Sequence, residues 1–383
     1  MRKTYILIGK RIEKSEAHPY GWKRVDFVPE DETCVVVLGG NGTENDEQSN
    51  GNAKSVDLLL KAYGLRDGVN VYSIIYRNDA EGEEHFIPYL QQLRSREVLF
   101  EKHGRKEIKE RTPKQKEFIE KAEQLQGKSA VDASNPEISD PSYVENLFDK
   151  LLLYRISDLD GQRLPFEEAI GRVRKLNIVA HCHSAYLFLK LEDMMQQKMK
   201  EFGYSDEERK AIQKQLLCVA FAPYAPLGVS KSTMLSFGSM KDDEVWHQNA
   251  FHREAQNLDK TGEFKLSYFE EKLGNVFVAS SMTEGQVGSV EHSFSNYLMP
   301  KRALSEEGEI MVLFGRNAVL NGVRGSKEGR LISNVRDLLC GDDAKTLCLF
   351  EKLRERGKKT YAKLMNLARK FALTKAKQSR GNL

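Results

Sequence analysis

The residue best placed for covalent chemistry is Cys182, in the stretch KLNIVAHCHSAYLFLKL at positions 175–191. Leu176, Ile178 and Val179 read as a short core strand, and Tyr186, Leu187, Phe188, Leu189 and Leu191 open a helix pattern with no Gly or Pro between. The knot between them, Ala180-His181-Cys182-His183-Ser184, has the form small-x-nucleophile-x-small. Small residues are needed on both sides of a nucleophile mounted on so sharp a strand-to-helix turn, because a larger side chain would strike the neighbouring elements. A thiolate there is intrinsically nucleophilic and is favoured by an imidazolium or a helix N-terminus. A frame two residues later offers Ser184 instead, with Tyr186 where a small residue is wanted. The plain structural alternative is a small buried cysteine at a strand end.

The segment resembles the nucleophile elbow of the α/β-hydrolase superfamily, in the manner of dienelactone hydrolases and lipases. Ala180 stands for the first glycine of G-x-S-x-G, Cys182 for the serine and Ser184 for the second glycine. The resemblance implies an α/β fold, a mostly parallel sheet flanked by helices, over roughly residues 34–293. It also implies a hydrolase or acyltransferase acting on an ester, thioester or amide through an acyl-enzyme. The family order of nucleophile, acid and histidine points to Asp243 in TMLSFGSMKDDEVW (233–246), with Asp242 or Glu284 as alternates. It points to His292 after the apolar run 275–281. In such a triad the imidazole takes the nucleophile's proton while the carboxylate fixes its tautomer and stabilises the imidazolium. The apolar run 34–38 ends in Gly39-Gly40-Asn41-Gly42-Thr43, so Gly40 or Asn41, together with His183, are the implied oxyanion donors. A glycine-rich turn that only connects is the other reading of that loop.

The elements that must position these groups follow in order. A helix pattern over 53–63 and a strand over 70–76 precede residues 79–140, which are charged, poor in apolar runs and expected as an insertion. Helical periodicity resumes over 143–152 and 165–173, and residues 216–221 form another buried-strand run. The expected organisation is a core over 1–300 and a C-terminal extension over 301–383. Residues 351–383 hold eleven Lys and Arg against Glu351 and Glu355, and Tyr361, Leu364, Met365, Ala368, Phe371 and Ala372 fall at helical spacing. That basic amphipathic helix over 357–383 fits an anionic membrane surface or a packed C-terminal helix; no aromatic ladder supports nucleic acid.

Composition bounds the rest. At 383 residues and 40% hydrophobic content the chain can bury a full core. Five cysteines, odd in number and mostly inside apolar runs, point to reduced thiols and a cytoplasmic setting. The apolar run after the basic N-terminus is too short for a secretory signal, though delivery into another cell stays open. No cofactor motif is present, and His181, Cys182 and His183 lack a second cluster with metal-ligand spacing. A small or acylated substrate is therefore expected, with no cofactor and no metal. Two further readings stand beside the hydrolase: an inactive binding or scaffold protein on a hydrolase fold, which the missing elbow glycines favour, and a peptidase or deamidase-type effector.

Overall fold

The computed structural model describes residues 4–40, 46–78, 141–182, 184–223, 230–239, 275–280, 292–300, 303–304, 306–329, 335–352 and 355. An eight-stranded sheet forms its centre: β1 (Thr4–Arg11), β2 (Trp22–Val25), β3 (Cys34–Leu38), β4 (Asn70–Asn78), β5 (Leu176–His181), β6 (Leu217–Phe221), β7 (Thr233–Ser239) and β8 (Asn275–Ser280). The spatial order is β2-β1-β4-β3-β5-β6-β7-β8. β1 runs antiparallel to β2 and β4, and all other pairs are parallel. Parallel strands are covered on both faces, which is why β3, β5 and β6 read as nearly unbroken apolar runs and why the small polar residues of β7 are buried as well.

From β3 the chain crosses through α1 (Asp46–Ala62) to β4 on one side. It then returns to the other side of β3 as β5 and continues outward through β6, β7 and β8. Right-handed crossovers in opposite directions put their helices on opposite faces. One face carries α2 (Pro141–Phe148), α3 (Tyr154–Ile156), α4 (Phe166–Arg174), α5 (Ser184–Glu201) and α6 (Asp206–Gln213) over Val36, Leu38, Ile178, Ala180 and Cys218. The other carries α1, α7 (Phe294–Leu298), α8 (Glu306–Glu328) and α9 (Val335–Cys340) over Val35, Val37, Val179, Leu217 and Val219. Ser205 caps α6 through a reciprocal pair with Glu208, satisfying two N-terminal N–H groups.

Several expected boundaries shift. α1 starts at Asp46 rather than 53, β4 runs on to Asn78, and the hairpin of β1 and β2 has no counterpart in the sequence reading. The described part of the expected C-terminal extension packs on the sheet. α8 sets Met311, Phe314, Ala318, Val319 and Val323 into the core and lies so close to the sheet that a Cβ on Gly322 would stand 2.4 Å from Leu217 Cδ2. Ser326 on α8 accepts from Asn177 Nδ2 at 3.0 Å and donates to the Arg174 carbonyl at 2.7 Å, which ties the helix to β5. The insertion 79–140 and the tail 357–383 lie outside the described residues.

Between α2 and α3 the helix widens into a π turn, Asp149–Leu153, where the Lys150 carbonyl takes the Val28 N–H. Just beyond it Arg155 is fully buried, and all five of its N–H donors are used. Nε donates to Leu151 O (3.1 Å), Nη1 to Glu30 O (2.9 Å) and Arg172 O (2.6 Å), and Nη2 to Pro29 O (2.9 Å) and Cys34 Sγ (3.5 Å). Burial lowers the guanidinium's proton affinity and pushes the Cys34 thiol up to about 11, so the sulfur here stays protonated and inert.

Candidate active site

In parallel α/β sheets ligands bind beyond the carboxyl ends of the strands where the chain order reverses. Here that point lies between β3 and β5. The register Leu38↔Ala180 carries Gly39 and Gly40 past the end of β3 alongside His181 and Cys182 at the end of β5. The approach is close: a Cβ on Gly40 would lie 2.9 Å from Cys182 Cβ and 3.0 Å from His181 Nδ1, so glycine is required there.

Cys182 has φ +55°, a left-handed backbone that costs a non-glycine residue roughly 1–2 kcal/mol. The turn is held by long-range bonds. Cys182 N–H donates to the Phe221 carbonyl at 3.0 Å, and Ser184 Oγ sits 2.7 Å from Leu38 O and 2.9 Å from both His181 N and His181 O. One strand over the pattern repeats: Ala222, at φ +45°, donates its N–H to Phe237 O at 2.7 Å. α5 then starts at Ser184, two residues after Cys182. Ser184 is 2% exposed and its hydroxyl is engaged with main-chain groups of β3 and β5, so it acts as the pin of the turn. Cys182 keeps partial solvent exposure, unlike buried Cys34, Cys218 and Cys340; Cys348 is exposed, and all five thiols are free.

His292 reaches this turn from far along the chain. Its main-chain oxygen lies 2.7 Å from His181 Nε2, across 111 positions of sequence, and the two rings are 4.9 Å apart between centroids. A carbonyl can only accept, so His181 Nε2 carries the proton and Nδ1, facing Gly40, does not. Phe294 stands edge-on to the His181 ring at 5.6 Å. Tyr297 Oη accepts the Ser239 N–H at 3.1 Å, tying α7 to the end of β7. The ends of β5 and β7 and the segment carrying His292 are thus drawn to one rim. Asp242, Asp243, Glu284, Asn41 and His183 lie outside the described residues. Among the described residues no group of three or more His, Cys, Asp or Glu could hold a metal ion, and no helix is long and apolar enough to cross a membrane.

Sequence context raises His181 only as a metal ligand beside Cys182 and His183, not as a partner of His292. Burial, and then the neighbouring His292, push its imidazole down to about 3 from an ordinary 6.5. Between those values the unfolded chain binds a proton that the native state does not. The resulting stability is complete above pH 6.5 and is lost as pH falls toward 3, by at most about 1.4 kcal/mol per pH unit. We expect His181→Gln to flatten the acid side of the stability profile in that window while leaving it parallel to wild type above pH 6.5. Urea midpoints across the pH series check this, and unchanged acid slopes would contradict it.

No family model matches the sequence, and no curated protein matches it.

Proposed function

We propose that this chain is an α/β-hydrolase-like cysteine hydrolase or acyltransferase acting on an ester, thioester or amide. The observation that carries the reading is the left-handed backbone at Cys182, on the turn between β5 and α5 at the reversal point of the sheet. Strain of this kind persists only where surrounding structure enforces it, and it gathers at catalytic positions. Ala222 adopts the same backbone one strand over, so the reading rests on this turn carrying a part-exposed thiol at the reversal point and not on the strain alone. The arrival of His292 beside His181, with the rings 4.9 Å apart, supports the same reading, since it brings an imidazole next to the residue that precedes Cys182.

In this reading Cys182 Sγ attacks the acyl carbon, a C–S bond forms and the carbonyl electron pair moves to oxygen. The N–H groups of Gly40 or Asn41 and His183 receive that oxyanion. His292, oriented by Asp243 with Asp242 or Glu284 as alternates, takes the thiol proton and gives it to the leaving group as the tetrahedral adduct collapses. Water, deprotonated by the same imidazole, then cleaves the thioester and returns the free thiol.

The test is to expose the folded protein to an activated aryl ester and to iodoacetamide, and to locate adducts by peptide mass spectrometry. We expect the acyl group on Cys182 and alkylation there at least about tenfold faster than at Cys218, Cys340 or exposed Cys348. Equal rates at Cys182 and Cys348, with no acyl adduct, would return the chain to the binding-protein reading.

A further inference from the structure

The hydrogen bond between His181 and the main chain of His292 links the residue before the nucleophile to the residue read as its base. We propose that His181 is a positioning residue, whose Nε2–H holds the His292 carbonyl and thereby fixes the His292 imidazole beside the Cys182 turn. The inference rests on the triad reading and adds to it a residue that touches neither the substrate nor the reacting sulfur.

Three features support it. The bond is short, at 2.7 Å, and runs from a side chain on the last residue of β5 to a backbone atom of a segment with no covalent path to β5 shorter than 111 positions. The ring is packed in place: Phe294 stands against it edge-on at 5.6 Å, and its Nδ1 side faces Gly40, where any added Cβ would approach to 3.0 Å. The segment is also anchored a second time, through Tyr297 to Ser239, so two bonds fix the position of the backbone from which the His292 side chain springs. A positioning group in this place must not carry charge, because the base becomes an imidazolium during each turnover and the rings are 4.9 Å apart. His181 meets that condition, since burial keeps it neutral throughout the working range and confines its single proton to Nε2. Lysine or arginine could donate the same bond but would repel the protonated base.

The experiment compares wild type, His181→Gln, His181→Phe and His292→Ala in the full chain. It reads kcat and KM on an activated aryl ester and the alkylation rate of Cys182 at neutral pH. Phe keeps the bulk and loses the donor, and it should lower kcat and the alkylation rate at least about tenfold with KM little changed. Gln can place an amide N–H near the position of Nε2 and should recover most of the loss. Wild-type rates in the Phe variant, or a Gln variant as poor as Phe, would overturn the proposal. If His292→Ala is itself without effect, the triad reading has failed; if His292→Ala is impaired and His181→Phe is not, the positioning role alone has failed. Should the Phe variant not fold, nitrogen NMR of wild type decides: His181 should stay the Nε2–H tautomer from about pH 5 to 8, and the Nδ1–H tautomer or a titration in that range would overturn the assignment.

Discussion

Cys182→Ala is expected to lower turnover of an activated ester by about 10³-fold or more and to abolish the acyl adduct, leaving the cooperative melt intact. Losses of that size follow removal of a nucleophile, while the residual rate reflects binding and oxyanion stabilisation. The glycine variant separates chemistry from structure. At φ +55° alanine bears the same backbone strain as cysteine, whereas glycine does not. Relief of roughly 1–2 kcal/mol outweighs the 0.4–1 kcal/mol that glycine loses through its freer unfolded chain. Cys182→Gly should therefore be as inactive as Cys182→Ala yet up to about 1 kcal/mol more stable, as read from urea midpoints. A glycine variant less stable than the alanine one would mean that the turn is not strained in solution, and the principal support for the hydrolase reading would go with it.

The largest expected loss of stability is at Arg155. Its five donors satisfy four main-chain carbonyls, from the loop before β3, the π turn and the end of α4, and the sulfur of Cys34 on β3. Arg155→Met fits the volume but takes the guanidinium from the Pro29 and Glu30 carbonyls, at roughly 1–3 kcal/mol each where water cannot reach, while Arg172 O keeps the Lys175 N–H. We expect a loss on the order of 5 kcal/mol in chemical denaturation. Arg155→Lys should rescue little, because an ammonium has three donors and no fork to span the acceptors. Cys34 is wholly buried against the guanidinium and serves as a reporter: it should become open to alkylation in both variants. A Met variant within about 1 kcal/mol of wild type would show that the cavity admits water in place of the side chain.

How much of this was legible beforehand follows from the physics of each element. β3, β5 and β6 were visible because a parallel strand buried on both faces reads as an apolar run, and β8 because Val276, Phe277 and Val278 are contiguous; their order placed Gly40, Cys182 and His292 in family sequence. The β1 and β2 hairpin was not: Thr4–Arg11 mixes Ile6 and Ile8 with basic residues, and Trp22–Val25 carries two exposed charges at the sheet's edge. α8 was passed over although Met311, Phe314, Ala318 and Val319 recur at helical spacing, because Gly315 and Gly322 interrupt the propensity where close packing demands them. Ser184 looked like a second nucleophile, since type and spacing cannot show that a hydroxyl is already engaged with the carbonyls of two strands. The buried Arg155 and the meeting of His181 with His292 had no local signature, as every partner except Leu151 lies far off in sequence.

The pairing of β3 with β5 joins residues 142 positions apart, from Cys34↔Leu176 to Leu38↔Ala180. Loop-closure entropy for so distant a contact must be met before any of its bonds is gained, and contacts of this kind slow folding. Until β5 docks between β3 and β6, the acceptors at Leu38 and Phe221 that hold the turn are elsewhere, and the chain around Cys182 is free to relax to an ordinary right-handed or extended backbone. An excised peptide of residues 175–191 would then contain the whole motif and none of its geometry. The reactivity assigned to this thiol is a property of the assembled sheet, and it should switch on only with the final native contacts rather than grow in step with helix content.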